Sequence, residues 1–421
     1  RGIKVIIDLV LNHSSTEIDW FQNARSSVNA DKRNWYRWST SNPNYSGPWG
    51  QSVWHGSGTG YYYGLFWGGM PDLNYEEPEV VDEMFDITKF WLEDVGIDGF
   101  RLDAVKYIKE EGSDLEDLAS THAFWRDWVA VTKDSNPDAL SVGEAWTSTE
   151  KIVPYVVNDG LDFCFEFDLA SAILGAVKSS NTQNLESQIN KVINSYPYYQ
   201  FGTFLTNHDL NRLMNELSSS EVNTKLASAL YLTLPGVPFI YYGEEVGMLG
   251  SKPDENIRRP MSWSSDEHAG FSSTNPWNGP ASNYESHNVE AQLLDTNSLL
   301  NWYRTIIRYR ARSQALQTGT YQSLSTSSSS VIGYQRASQN EQVLVLVNTS
   351  NQEQQLSINP NEIGVNGTFV NLMNTTDQFE LNGSSSTVSI GSKEAMILVP
   401  KGEEIELGTE LLENFSMYPN P

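Results

Sequence analysis

The sequence predicts an α/β protein built on a parallel sheet, followed by a smaller all-β domain. Short apolar runs alternate with helix-period segments from Ile3 to Ala311, the pattern of a parallel sheet covered by helices. The opening run, Ile3-Lys4-Val5-Ile6-Ile7-Asp8-Leu9-Val10-Leu11, is nearly continuous in apolar residues, as in strands buried on both faces. Beyond Ser313 the helical period gives way to β-rich runs such as Val343-Leu344-Val345-Leu346-Val347 and Ala395-Met396-Ile397-Leu398-Val399. Asn, Gly and Ser clusters separate them, as in a small antiparallel sandwich.

The elements follow in order. After the first strand, residues 14–79 are rich in Trp, Tyr, Asn, Gly and Pro, with little period of either kind. A loop of that length in a compact domain is usually functional. Residues 80–93 keep helical spacing through Val81, Met84, Phe85, Ile87, Phe90 and Trp91, and Gly96 to Leu102 reads as a turn into a strand. A second helix is expected over 122–133. Strands are expected at 140–142, 162–167, 203–205 and 237–242, and helices at 185–193, 222–232 and 299–311. Residues 325–330, a serine-rich stretch, read as a hairpin tip. From pattern alone, the parallel sheet is either open or closed into a barrel.

Composition excludes several functions. The 27 basic against 53 acidic side chains leave a net charge of −26, which repels nucleic-acid backbones and anionic lipid. No uncharged apolar run, the one around Ile240 included, approaches the ~18 residues of a membrane span. The single cysteine, Cys164, excludes an internal disulfide and a cysteine-built zinc site. Aromatic residues make up 12% of the chain, many in polar loop-like segments, which suits a neutral ligand. No G-x-G-x-x-G or G-x-x-x-x-G-K-[ST] occurs, so nucleotide-binding readings lose their support.

In parallel barrels the chemistry sits where strands end. Asn12-His13 follow the first run, and Asp103, preceded by Arg101, follows the second. Glu144 follows the third, and Thr206-Asn207-His208-Asp209 the strand at Phe204-Leu205. Each residue alone also fits a structural role: Asp103 as a helix cap, Arg101 in an ion pair, the histidines in packing. Together they require separate coincidences at successive strand ends. Two carboxylates facing one bond is what glycoside hydrolysis needs, one to attack and one to protonate the leaving oxygen. Arg101 would keep Asp103 ionised, and the histidines could bond sugar hydroxyls without adding negative charge.

The runs Asp8-Leu9-Val10-Leu11-Asn12-His13, Gly99-Phe100-Arg101-Leu102-Asp103-Ala104-Val105-Lys106, Gly143-Glu144-Ala145-Trp146 and Phe204-Leu205-Thr206-Asn207-His208-Asp209 resemble the ordered signature regions of the α-amylase family of glycoside hydrolases. Met70-Pro71-Asp72-Leu73-Asn74 resembles a fifth region, near the end of the family's inserted domain B. The resemblance extends to Pro400. It implies a TIM-type (β/α)8 barrel lacking its first two strands, because the opening run matches the family's third. The barrel would comprise residues 1–13 and 80–312, domain B residues 14–79, and the C-terminal antiparallel β-sandwich residues 313–401. Residues 402–421 would form an acidic linker. With two strands absent and sheet edges open, the fragment alone is expected to be inactive.

The same resemblance implies Asp103 as nucleophile, Glu144 as general acid/base and Asp209 as the third carboxylate, in a retaining mechanism. His13, Arg101 and His208 match sugar-binding and charge-tuning positions. Lys106 matches a leaving-group contact, and Asp254 with Arg258 a late substrate-contact pair. Tyr107 stands where many members have His, which leaves the acceptor-side contacts open. Asn12 and Asp72 match side-chain ligands of a structural Ca²⁺ bridging barrel and domain B, with the Tyr107 carbonyl a further ligand. Alternatively, Asn12 only hydrogen-bonds domain B and no metal is held.

Ala104 and Lys106 look like those of members that cleave α-1,4 bonds, while Met70-Pro71 lies between oligo-1,6-glucosidase and neopullulanase patterns. The expected substrate is starch or maltooligosaccharide. The alternatives are an oligosaccharide α-glucosidase or transglycosylase of the same family, or a non-catalytic glycan-binding relative. No protein partner is implied. A polymeric substrate implies a secreted, periplasmic or cell-surface location. Residues 414–421 resemble the opening of a bacterial sorting domain.

Overall fold

The computed structural model describes residues 2–405. They fall into two units, Arg1–Phe165 with Gln200–Gly202, and Glu166–Tyr199 with Thr203–Pro421. Residues 414–421 lie outside the described residues.

The first unit contains β1 (Ile6–Leu9), β2 (Trp38–Ser39), β3 (Trp54–Ser57), β4 (Gly60–Tyr63), β5 (Gly99–Leu102), β6 (Leu140–Gly143), β7 (Phe163–Phe165) and the first residues of β8 (Phe201–Thr203). β1, β5, β6, β7 and β8 pair in that order, every neighbour parallel. Helices Pro78–Lys89 and Ala119–Ser135 supply the crossovers after β1 and β5. Phe100 and Val142 are fully buried on the sheet, and Trp125 and Trp128 pack from the second helix. Trp128 meets Phe100 edge-on at 5.7 Å. Gly99 is needed at the start of β5. Its φ is +151°, and a Cβ there would come within 2.1 Å of the Leu140 carbonyl on β6.

Three details depart from expectation. The opening run forms only a four-residue strand, and Ile3, Val5 and Val10 are exposed rather than covered on both faces. Among the described residues β1 pairs with β5 alone, which leaves its other edge uncovered there. Residues 14–79, expected as a loop, hold a helix, Asp19–Ser26, and a three-stranded antiparallel sheet in the order β2-β4-β3. The ring of Phe21 in that helix meets Tyr36 and Tyr62 edge-on, so aromatic packing supplies the core that period could not signal. The helix expected over 80–93 changes to a π-helical turn, Phe90–Val95, before Gly96 ends it.

The second unit begins with an unanticipated helix, Phe167–Ser179, then Gln183–Ser195, Glu221–Thr233 and Leu299–Arg312. β9 is only Val237–Pro238, shorter than expected because Pro238 has no N–H to extend a ladder. Phe239 N–H still donates to Thr203 O at 2.8 Å. The C-terminal strands are β10 (Thr320–Leu324), β11 (Val331–Ala337), β12 (Gln342–Asn348), β13 (Gln354–Ile358), β14 (Gly367–Asn371), β15 (Gln378–Leu381), β16 (Ser386–Ile390) and β17 (Ala395–Pro400). Six form an antiparallel sheet, β10-β11-β12-β17-β14-β15, and β13 pairs with β16. Residues 325–330 link β10 to β11 as a hairpin tip. Leu344, Leu346, Leu356, Phe369, Val388 and Leu398 fill the core between them.

Two buried arginines, Arg310 on helix Leu299–Arg312 and Arg336 on β11, converge on the end of helix Glu221–Thr233. Arg310 donates to the carbonyls of Leu232, Leu234 and Gly236, and Arg336 to those of Thr233, Gly319 and Thr320. They satisfy the carbonyls left open where helix Glu221–Thr233 ends. Burial pulls both guanidinium groups down to about 10.

Glu244 is a second buried ionisable group. Tyr231 and Tyr303 each donate to its Oε1 at 2.8 Å, and burial pushes its pKa up to about 8. Because that lies above the ordinary 4.5, folding takes up a proton between the two values. The stabilisation is full below the unfolded value and declines as pH rises towards 8, at up to about 1.4 kcal/mol per pH unit. Glu244→Gln keeps an acceptor for both hydroxyls and cannot ionise. Its urea midpoint should fall less steeply between pH 5 and pH 8 than that of the parent; parallel slopes would refute the protonated Glu244.

Candidate active site

The parallel register brings the first group of polar residues to one end of the sheet. Asp8 pairs with Arg101 and Leu9 with Leu102 between β1 and β5, and Leu102 pairs with Gly143 between β5 and β6. Asp103 and Glu144 are therefore the first residues past two neighbouring strands. Asp103 N–H reaches Leu9 O at 3.5 Å, Glu144 N–H donates to Leu102 O at 2.8 Å, and Val105 N–H donates to Glu144 O at 3.2 Å. Ala104 takes a left-handed φ of +50°, which turns the chain sharply just after Asp103. For a residue with a Cβ this costs roughly 1–2 kcal/mol, strain of a kind that collects at active sites.

Arg101 organises the carboxylates. Its Nη1 lies 2.8 Å from Asp103 Oδ1 and 2.8 Å from Asp8 Oδ1, and its Nη2 lies 2.6 Å from Glu144 Oε2. Burial alone would lower the guanidinium pKa. Glu144 first, then Asp8 and Asp103, outweigh that and raise it well above the ordinary value. The sequence placed Arg101 beside Asp103 only. Its grip on Glu144 and its pairing with Asp8 are tertiary, although Asp8 opens the first motif and the shared register of β1 and β5 is the signal that could have found it.

His13 is half-buried, and desolvation lowers its pKa although Asp103 pulls the other way. A neutral imidazole there can bond a hydroxyl without adding charge. Lys106 is buried, with Nζ 2.8 Å from Glu116 Oε2 and 3.4 Å from Trp146 O. Glu116, outside every motif, thus fixes the lysine and escaped the sequence reading.

In the second unit, Asp209 follows β8 in a turn closed by its own N–H on Asn207 Oδ1 at 2.9 Å. Arg258 donates to Asp209 Oδ1 at 2.7 Å and to His208 O at 2.9 Å, and its Nη2 lies 2.9 Å from Asp254 Oδ2. His208 Nε2 lies 3.3 Å from Asp209 Oδ2. Lys252 bonds the other oxygen of Asp254, and chiefly this contact holds that carboxyl below the usual range. All four residues singled out in this part of the sequence therefore meet. Arg212, three residues after Asp209, was missed. It is buried, its guanidinium lies 4.8 Å and 4.7 Å from the ring centroids of Tyr241 and Tyr242, and it donates to Tyr242 O at 2.7 Å.

Residues 1–319 match the family model described as α-amylase, catalytic domain. The chain belongs to the α-amylase family. It is 36% identical to "Alpha-amylase 3" of Dictyoglomus thermophilum over 86% of this chain and 71% of that protein. It is 33% identical to "Trehalose synthase/amylase TreS" of Mycolicibacterium smegmatis over 80% of this chain and 66% of that one. The solved α-amylase from H. orenii superposes with a TM-score of 0.80 at 30% identity, covering 95% of this chain and 81% of that one. The fold class is that of the α-amylase family: a parallel strand–helix sheet followed by an antiparallel β domain. Membership makes the chain a glycoside hydrolase in the broad sense, in a family whose members both hydrolyse and transfer glycosyl groups.

The metal that the α-amylase family implies can be tested against the side chains. Asp72 is buried, and desolvation, then the charge of Glu110, raises its pKa well above the ordinary value. Its Oδ1 accepts Leu65 N–H at 3.0 Å and its Oδ2 the Asn12 amide at 3.1 Å. Asn12 Oδ1 is buried without a partner. Among the described residues no cluster of three or more His, Cys, Asp and Glu could hold a metal. An oxygen site with an amide and main-chain carbonyls is a different donor set. An orphaned carbonyl oxygen beside a desolvated carboxylate fits a hard divalent cation.

Among the described residues no helix is long and apolar enough to cross a membrane.

Proposed function

We propose that the protein is a retaining hydrolase of α-1,4-linked glucans. The observation that carries this reading is the Arg101 fork, which ties Asp103 and Glu144 together at the ends of adjacent parallel strands. Asp103 attacks the anomeric carbon while Glu144, protonated, gives its proton to the departing glycosidic oxygen. Water then enters, Glu144 removes its proton, and the sugar leaves Asp103 with its anomeric configuration retained. Asp209 binds hydroxyls and supports the positive charge that develops on the sugar ring, with Arg258 and Asp254 keeping its orientation. His13 and His208 bond hydroxyls, and Lys106 serves the leaving group. The Arg101 contact at 2.6 Å holds the Glu144 carboxyl in place at the end of β6.

Product analysis on soluble starch, with the protein at its full natural length, tests this reading. A ladder of α-configured maltooligosaccharides supports it. Glucose alone, or conversion of maltose to another disaccharide, would replace it with glucosidase action or glucosyl transfer. The trehalose synthase/amylase relative at 33% identity favours that second reading.

We also propose that Asn12 Oδ1, Asp72 and the Tyr107 carbonyl hold Ca²⁺, which when bound ties the β1 terminus to the 14–79 segment. Dialysis against EGTA should then lower the Tm by several degrees, and Ca²⁺ but not Mg²⁺ should restore it. An unchanged Tm would refute the site. A polymeric substrate further implies export, which cell fractionation would test.

A further inference from the structure

In the first unit a row of aromatic rings runs outward from His13, whose ring meets Phe66 edge-on, centroids 5.3 Å apart. Phe66 meets Tyr107 at 5.8 Å and 86°, and Trp49 stacks on Phe66 at 5.7 Å and 28°. Trp49 also touches Tyr107 edge-on at 5.9 Å. Tyr107 is buried and Phe66 half-buried, whereas Trp49, the outermost ring, is 61% exposed.

That exposure is held in place. Gly47 N–H donates to Gln51 O at 2.8 Å and Gly50 N–H to Gly47 O at 2.9 Å, closing a turn around the tryptophan. Gly50 takes a φ of +78°, open to glycine at no steric cost. The Gln51 side chain accepts Trp49 N–H at 2.9 Å and donates to Leu65 O at 3.0 Å. An indole stacked on one face and pinned at its backbone has lost its conformational entropy before any ligand arrives, so its free face binds at little further cost.

We propose that Trp49 is a stacking platform for a neutral glucosyl residue of the substrate, on the leaving-group side of the bond cleaved. The inference rests on the α-glucan reading above. The row starts at His13, which follows β1, the strand that pairs with β5 up to Leu102, just before Asp103. It passes Tyr107, next to Lys106, the residue read as serving the leaving group. A pyranose ring has an apolar C–H face that packs on an indole and a rim of hydroxyls that stays in water. The net charge of −26 disfavours an anionic occupant. The platform therefore rewards chain length: a glucan that extends past the cleaved bond gains a contact that a short one lacks.

The test compares Trp49→Ala and Trp49→Phe with the parent on maltoheptaose and maltotriose. The alanine variant should lose about tenfold in kcat/KM on maltoheptaose, mainly through KM, and several-fold less on maltotriose. Phenylalanine should recover most of the loss. Equal losses on both substrates, or none, overturn the platform. Equilibrium binding of maltoheptaose to Asp103→Asn, with and without Trp49→Ala, gives a readout independent of turnover. Binding weakened about tenfold by the alanine supports the proposal, and unchanged binding overturns it. Absent turnover by the parent would overturn the hydrolase reading alone, because the binding comparison still decides the role of Trp49.

Discussion

Asp103→Asn should abolish hydrolysis, with kcat falling about 10⁴-fold or more, while the fold survives. The amide matches the carboxylate in shape but cannot form the glycosyl ester. The neighbourhood tolerates the change because Arg101 keeps its contacts to Asp8 and Glu144. An unchanged far-UV spectrum and Tm should accompany the loss. Glu144→Gln gives the complementary signature. Starch hydrolysis falls as steeply, yet a dinitrophenyl α-glucoside still releases its phenol in a burst, because that leaving group needs no proton. Full starch activity in Asp103→Asn, or a burst in that variant rather than in Glu144→Gln, would reverse or sink the assignment.

Arg101→Gln is the second large effect. One guanidinium serves three carboxylates, at 2.6 to 2.8 Å. Removing it leaves like charges facing each other in a half-buried site, where repulsion favours uptake of protons. We expect kcat/KM to fall about 10²- to 10³-fold, comparable to losing one preorganised electrostatic contact. Asp8→Asn should show a smaller change in the same direction of activity, since it frees Arg101 without removing it. A kcat/KM within twofold of the parent would show that Arg101 only packs.

The site was legible to different depths in its two halves. Asp103 and Glu144 were singled out because each directly follows a strand-length apolar run, and Asp209 because it closes the polar turn after Phe204-Leu205. Asp8, Glu116 and Arg212 were missed. Asp8 looks like a strand residue until the register with Arg101 is known, and Glu116 carries no periodic or spacing signal at all. Residues 14–79 were illegible for a related reason. Their core is a cluster of rings, Phe21 with Tyr36 and Tyr62, Val53 with Tyr63, Leu65 and Tyr107, whose members come from distant positions without period. Short strands suffered likewise. β9 reduces to Val237–Pro238 because a proline interrupts a run that composition alone marks as continuous.

The sequence by itself determined the family and the strand–helix alternation with its C-terminal β domain, because apolar period and motif order are local properties written along the chain. Only the tertiary structure decided how one arginine divides itself among Asp8, Asp103 and Glu144, that Arg258 holds Asp209, and that Trp49 stands outward on Phe66. Those are pairings between residues far apart in sequence. Their partners are chosen by strand register and packing, which no single segment encodes.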